Sequence, residues 1–329
     1  MGLSNFFRRL VKDSPPAPQP ENFPEPAGPR PEPVHRKVLA LLYNPPVDSA
    51  GGKSLIDLMR WNDPRRLIST YIDDLRDVSY GYANFELVDL QQVAHFPVKR
   101  DGFVYTGDDF MRRSRSHSGF HEPDAADYYR ILDEFDVVSK INQGSIDEVW
   151  MFGSPYAGFY ESQMAGPGAF FCNSEPLSGV KSARRFVIMG FNYERGVGEM
   201  LEDMGHRAES ILRQVFHSTR GQANLWERFC LYDQVAPGRA EVGNVHFAPN
   251  SQRDYDWGNP SQVRSRCHTW YHFPDLSGEP VSVNCQEWGN GDIRLHHLWW
   301  LRHFPHLTGE SAGIAYNWWQ YVIDPNTVH

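Results

Sequence analysis

No stretch of this 329-residue chain reaches the 18 or so consecutive apolar residues that a membrane-spanning helix requires. Positive charge is also scarce. The formal net charge is -9, and Lys and Arg never stand more than two together. Neutralising a phosphate backbone takes clustered cations, so no nucleic-acid role is expected. Cysteine is sparse, and Cys172, Cys230, Cys267 and Cys285 form no C-x-x-C pair, which excludes a zinc ribbon and a thioredoxin-type site. Reduced thiols in a cytoplasmic protein are the simplest reading, with two disulfides as the alternative. The first residues, MGLSNFFRRLVKD, place Arg8, Arg9 and Lys12 where a secretory signal needs an unbroken apolar core, so export by that route is not expected. Nucleotide loops are missing too. Val47 stands where the first glycine of a P-loop would precede Gly51-Gly52-Lys53-Ser54, and Gly190, Gly196 and Gly198 do not make G-x-G-x-x-G.

Residues 1–13 can form a short amphipathic helix with Leu3, Phe6, Phe7 and Leu10 on one side. That pattern reads as a docking peptide for a membrane surface, a shell or a partner protein. Residues 14–35 hold nine prolines and cannot bury a core, so they read as a disordered, extended spacer.

Beyond the spacer, four apolar runs read as strands covered on both faces: 37–43, 85–90, 148–153 and 185–191. Helical spacing appears at 64–78, after an Asp63-Pro64 start, at 124–141 and at 196–216. Strand-helix alternation predicts an α/β fold, a mainly parallel sheet flanked by helices, over residues 36–224. Eight of the ten tryptophans follow Leu225, so residues 225–329 are expected to form a loop-rich, Trp-rich C-terminal lobe packed on that domain. Parallel sheets bind ligands beyond the carboxyl ends of their strands, which directs attention to the loops after Tyr43, Gly153 and Phe191.

The chemistry is concentrated in GVGEMLEDMGHRAESILRQVF, 196–216. Glu202 and His206 are i,i+4 and project from one face of a helix, a metal-ligand spacing. The string EDMGH resembles the zincin metal-binding helix over five residues, with Glu202 in place of the first histidine and Asp203 in place of the general base. The helix wheel turns His206 away from the apolar stripe, so a metal role requires the C-terminal lobe to cover that face. His246, alone in the turn-rich GNVHFAPNS, is the expected third ligand. Glu161 and Glu194, each beyond a strand, are the candidate general bases. Zinc or manganese with an open water position would suit such a set.

A rival pair, His296 and His303, lies on one helix and reads as core or surface histidine. The run DYDWGN, 254–259, begins like a calcium loop but has Ser265 at position twelve. Asp256, Trp257 and Trp288, with Tyr156, instead suggest aromatic and carboxylate groups that bind a sugar.

The stretches GSPYAGFYESQMAGPGAFFCNS, FVIMGFNYERGVGEMLEDMGHRAES and GNVHFAPNSQRDYDWGNP resemble a family of bacterial proteins with no assigned activity, a similarity spanning most of 37–326. The resemblance implies a shared domain and carries over no catalytic residue. The expected function is a metal-dependent hydrolase acting on a peptide or glycan between the lobes. Its competitor is a non-catalytic glycan-binding or scaffold protein tethered through residues 1–13.

Overall fold

The computed structural model describes residues 28–329. The docking peptide at 1–13 and the spacer as far as residue 27 lie outside the described residues. The spacer ends earlier than its composition suggests, since Val34 and His35 already belong to the first strand.

Strand β1 (Val34–Tyr43) is buried at every position from Val38 onward, which explains why its apolar residues run consecutively instead of alternating. With β2 (Ala83–Val93), β3 (Glu148–Gly153), β4 (Ser162–Ala165) and β5 (Phe186–Asn192) it forms a sheet ordered β2-β1-β3-β5-β4. The pairs β1-β2, β1-β3 and β3-β5 are parallel. Only β4 is antiparallel, running along the outer side of β5. At four residues β4 is too short to show a period, and it is absent from the strands expected from the sequence.

Helix α1 (Pro64–Val78) starts where Asp63 Oδ1 accepts the Arg65 N–H at 2.9 Å, with proline at the first helical position. The single helix expected over 124–141 is two short ones, α2 (Tyr128–Glu134) and α3 (Val137–Asn142). Asp127 caps α2 through the Arg130 N–H, and Asp136 adopts a left-handed φ of 51° that ends the first helix before the second begins. Helix α4 (Val197–Val215) returns from the carboxyl end of β5 across the sheet. Gly196 N–H donates to Glu199 Oε2 at 3.0 Å, the carboxylate half of a capping box.

Helices α2 and α3 pack Ile131, Leu132, Val137 and Ile141 against Leu39, Leu41 and Val149 on one face of the sheet. The opposite face carries α1 and α4, and their core continues without a break into Trp226, Trp270, Trp300 and Trp318 of the C-terminal region. Helix α5 (Ile293–Arg302) lies against α4. A buried ion pair ties these layers together. Arg207 of α4 donates to both Glu148 oxygens at 3.2 and 3.0 Å and, through Nε, to the Val322 carbonyl at 3.0 Å.

No described helix is long and apolar enough to cross a membrane. All four cysteines are unpaired, and Cys172 is buried.

Candidate metal centre

Helix α4 presents Glu202 and His206 one turn apart on the side facing away from the sheet. A loop from the C-terminal region covers them. Asn244 builds that loop by accepting the N–H groups of His246 and Phe247 at 3.0 Å each, an Asx turn. Gly243 has a φ of 91°, and a Cβ there would lie 2.0 Å from the Phe247 carbonyl oxygen, so only glycine fits. The turn delivers the His246 ring onto α4.

Three donor atoms meet as a result. His246 Nε2 lies 3.0 Å from Glu202 Oε1 and 3.1 Å from His206 Nε2, and Glu202 Oε1 lies 3.9 Å from His206 Nε2. A tetrahedral ion with bonds of 2.0–2.2 Å has donor-donor edges of about 3.3–3.6 Å, and these separations bracket that range. Among the described residues, Glu202, His206 and His246 are the one group of three or more His, Cys, Asp or Glu able to hold a metal ion.

The far side of each imidazole is also engaged. His206 Nδ1 faces Glu209 Oε2 at 3.3 Å, and His246 Nδ1 faces Asp254 Oδ1 at 3.0 Å. An ionised carboxylate only accepts, so each Nδ1 carries the hydrogen and, in the neutral ring, each Nε2 turns its lone pair inward. Glu209 has a second task. Its other oxygen accepts the Val245 N–H at 3.1 Å, so one carboxylate aligns the His206 ring and anchors the segment bearing His246.

The electrostatics follow from this crowding. Burial works against both imidazolium ions, but Glu209, Glu161 and Glu202 raise the His206 pKa above its ordinary value, and Glu202 with Asp254 does the same for His246. Burial likewise opposes the Glu202 carboxylate, yet hydrogen bonds from His246 Nε2, which carries a hydrogen only in the imidazolium form, and from Tyr255, with the nearby His297, hold its pKa below the usual range. Asp203, one residue along, is pushed well up by burial and by the surrounding Glu161, Glu202 and Glu199.

Glu161 arrives from the loop after β3, with Oε2 at 3.9 Å from His206 Nε2 and a hydrogen bond from Asn173 Nδ2. Asn173 also lines a cleft of about 600 Å³ with Tyr160, Gln163, Ser174 and Arg100; Glu161 and the three donors are not part of that lining, and Asn173 links the two. Glu194 is exposed and makes no hydrogen bond or ion pair to the cluster; its backbone is held by Asn192 and Asn62.

The expected sugar-binding group does not assemble. Trp257 and Trp288 are 4% and 1% exposed and bonded to each other through Trp288 Nε1 and the Trp257 carbonyl, so neither offers a face to a ligand. Asp256 folds its own loop, accepting from Gln252 N–H and Asn259 Nδ2. Tyr156 is exposed but stacks on Phe120 at 3.5 Å. His296 and His303 are both fully buried and do not converge: His296 stacks on Trp257, while His303 Nδ1 bonds the Trp299 carbonyl.

Sequence reading missed Glu209, Asp254, Tyr255 and Asn173. Glu209 carried a signal, lying i+3 from a candidate ligand on the same helix, whereas the other three reach the cluster through tertiary folding alone. No protein-family model, curated protein or solved structure matches the chain, so the centre stands on its own geometry.

Proposed function

We propose that the chain is a divalent-metal-dependent hydrolase, with Glu202, His206 and His246 holding the ion and Glu161 acting as general base. The observation that carries this reading is the double support of each histidine: Nε2 atoms converge 3.1 Å apart while a carboxylate holds each Nδ1. A surface ion-pair cluster has no reason to orient two imidazoles in this way, and a His₂Glu set is a donor pattern that leaves a position open for water.

Zinc or manganese bound there would lower the pKa of a coordinated water toward 7 and polarise a scissile carbonyl or glycosidic group. Glu161 stands beside His206 with its carboxylate oriented by Asn173, ready to take the water's proton. The cleft on the far side of Asn173 offers room for a short peptide or glycan segment leading toward Glu161.

Elemental analysis of the purified chain, alongside a Glu202→Ala/His206→Ala variant, tests the proposal. The expected result is about one equivalent of zinc or manganese in the parent and none in a variant with unchanged circular dichroism. Hydrolysis of peptide or glycoside substrates should then depend on the ion and fall by at least about 100-fold in Glu161→Gln, the scale typical of removing a general base. A parent that takes up no ion from excess zinc would overturn the metal reading. A loaded parent inert toward both substrate classes would overturn the hydrolase reading alone.

A further inference from the structure

A fourth side chain points at the same spot as the three proposed ligands. Tyr255 Oη lies 3.0 Å from Glu202 Oε1 and 3.2 Å from His246 Nε2. Together with the 3.0, 3.1 and 3.9 Å separations within the triad, five of the six edges of a four-donor polyhedron lie between 3.0 and 3.9 Å. Those separations lie on either side of the edges of a tetrahedral ion's donor shell, about 3.3–3.6 Å, so shifts of a few tenths of an ångström would seat the ion.

The backbone supports a deliberate placement. Tyr255 adopts a φ of 57°, a left-handed conformation uncommon for a bulky residue and costing on the order of 1 kcal/mol or more. Its neighbours hold it there. Asp254 meets His246 Nδ1, Asp256 closes the turn through Gln252 and Asn259, and buried Trp257 pins the loop from beneath. The phenol ring packs on His246 with centroids 4.5 Å apart, its edge against Trp257. Half of the residue nevertheless remains exposed, which makes it the most exposed member of the four.

We infer that Tyr255 Oη is the fourth protein ligand of the ion, closing the site at rest and withdrawing when substrate arrives. This rests on the metal-centre reading above. Coordination forms a metal–oxygen bond, breaks the phenol O–H and releases that proton to solvent, with no change of oxidation state. The resulting set, two imidazole nitrogens, a carboxylate and a phenolate, suits zinc and also accepts Cu(II) or Fe(III). Withdrawal of the phenol vacates the position against Glu202 and His246, where a water and a substrate oxygen can enter.

The test uses the full chain and the metal ions alone. One equivalent of Cu(II), retained through gel filtration, should give a visible phenolate-to-metal charge-transfer band in the parent. Tyr255→Phe should keep the equivalent and lose the band, and Tyr255→His, which offers a nitrogen instead, should do the same and covers a folding failure of the first variant. Fe(III) should repeat the pattern. A parent that binds one equivalent without the band, or a Tyr255→Phe protein that keeps it, would overturn the inference while leaving the metal centre standing. A parent that binds neither zinc nor Cu(II) would overturn both.

Discussion

Glu209 and Asp254 touch no ion in this reading, yet they decide what the two histidines can do. A free imidazole shares its hydrogen between two tautomers and rotates about its side-chain bonds; a carboxylate on Nδ1 removes both freedoms. Glu209→Gln and Asp254→Asn keep the shape of the side chain and remove its charge. Each variant should therefore weaken zinc binding by about 10–100-fold with little change in thermal stability, measured by competition with a chromophoric chelator. Glu209→Gln should have the larger effect, because it also loosens the Val245 anchor. Equal affinities in parent and variants would show that the carboxylates are only solvated neighbours.

Among the elements, α4 and the loop after Gly243 make the site by close approach, and Gly205 sets how close. A Cβ on Gly205 would lie 2.5 Å from Val245 Cγ2, within the residue next to His246. Alanine in a helix interior ordinarily gains up to about 1 kcal/mol over glycine, whereas forcing a methyl into a packed contact costs about 1–3 kcal/mol. The clash should win. Gly205→Ala is expected to lower the melting temperature and weaken zinc binding together, by lifting His246 off the helix; a rise in melting temperature would refute this packing argument. The same helix shows how far the sequence could be read. Strands and helices with long apolar periods were legible, as was the Glu202–His206 spacing, because both follow from one element's own geometry. His246 was legible only as a polar residue isolated in a turn. The tryptophans were hard to place for a related reason: Trp257 and Trp288 have polar neighbours along the chain, but tertiary folding buries both indoles. Tyr255 and Asp254 belong to the same run and show the opposite outcome, which adjacent residues on an irregular loop cannot announce.

Taken as a whole, the molecule merges an α/β sheet and an aromatic-rich region into one core, and that core contains histidines as well as indoles. Burial pushes His303 down to about 3 and His297 to about 4. In the unfolded chain both titrate near the ordinary value of about 6.5, so between that pH and the folded values only the unfolded state takes up the protons. Stability is thus fully present above pH about 6.5 and is lost as pH falls toward 4. Melting curves across this range should show the decline, and His303→Gln should flatten it; an unchanged slope in that variant would mean that His303 does not contribute. The buried Arg207 pair adds a consequence in time. Arg207 sits one residue from His206, and its guanidinium is satisfied partly by the carbonyls of Val322 and Ile323, 115 and 116 residues downstream. During synthesis on the ribosome Glu148 is already made when Arg207 emerges, but those carbonyls are not. The helix that carries the candidate ligands therefore gains the last partners of its buried guanidinium only once translation has passed Ile323, so its final packing is a late event of synthesis.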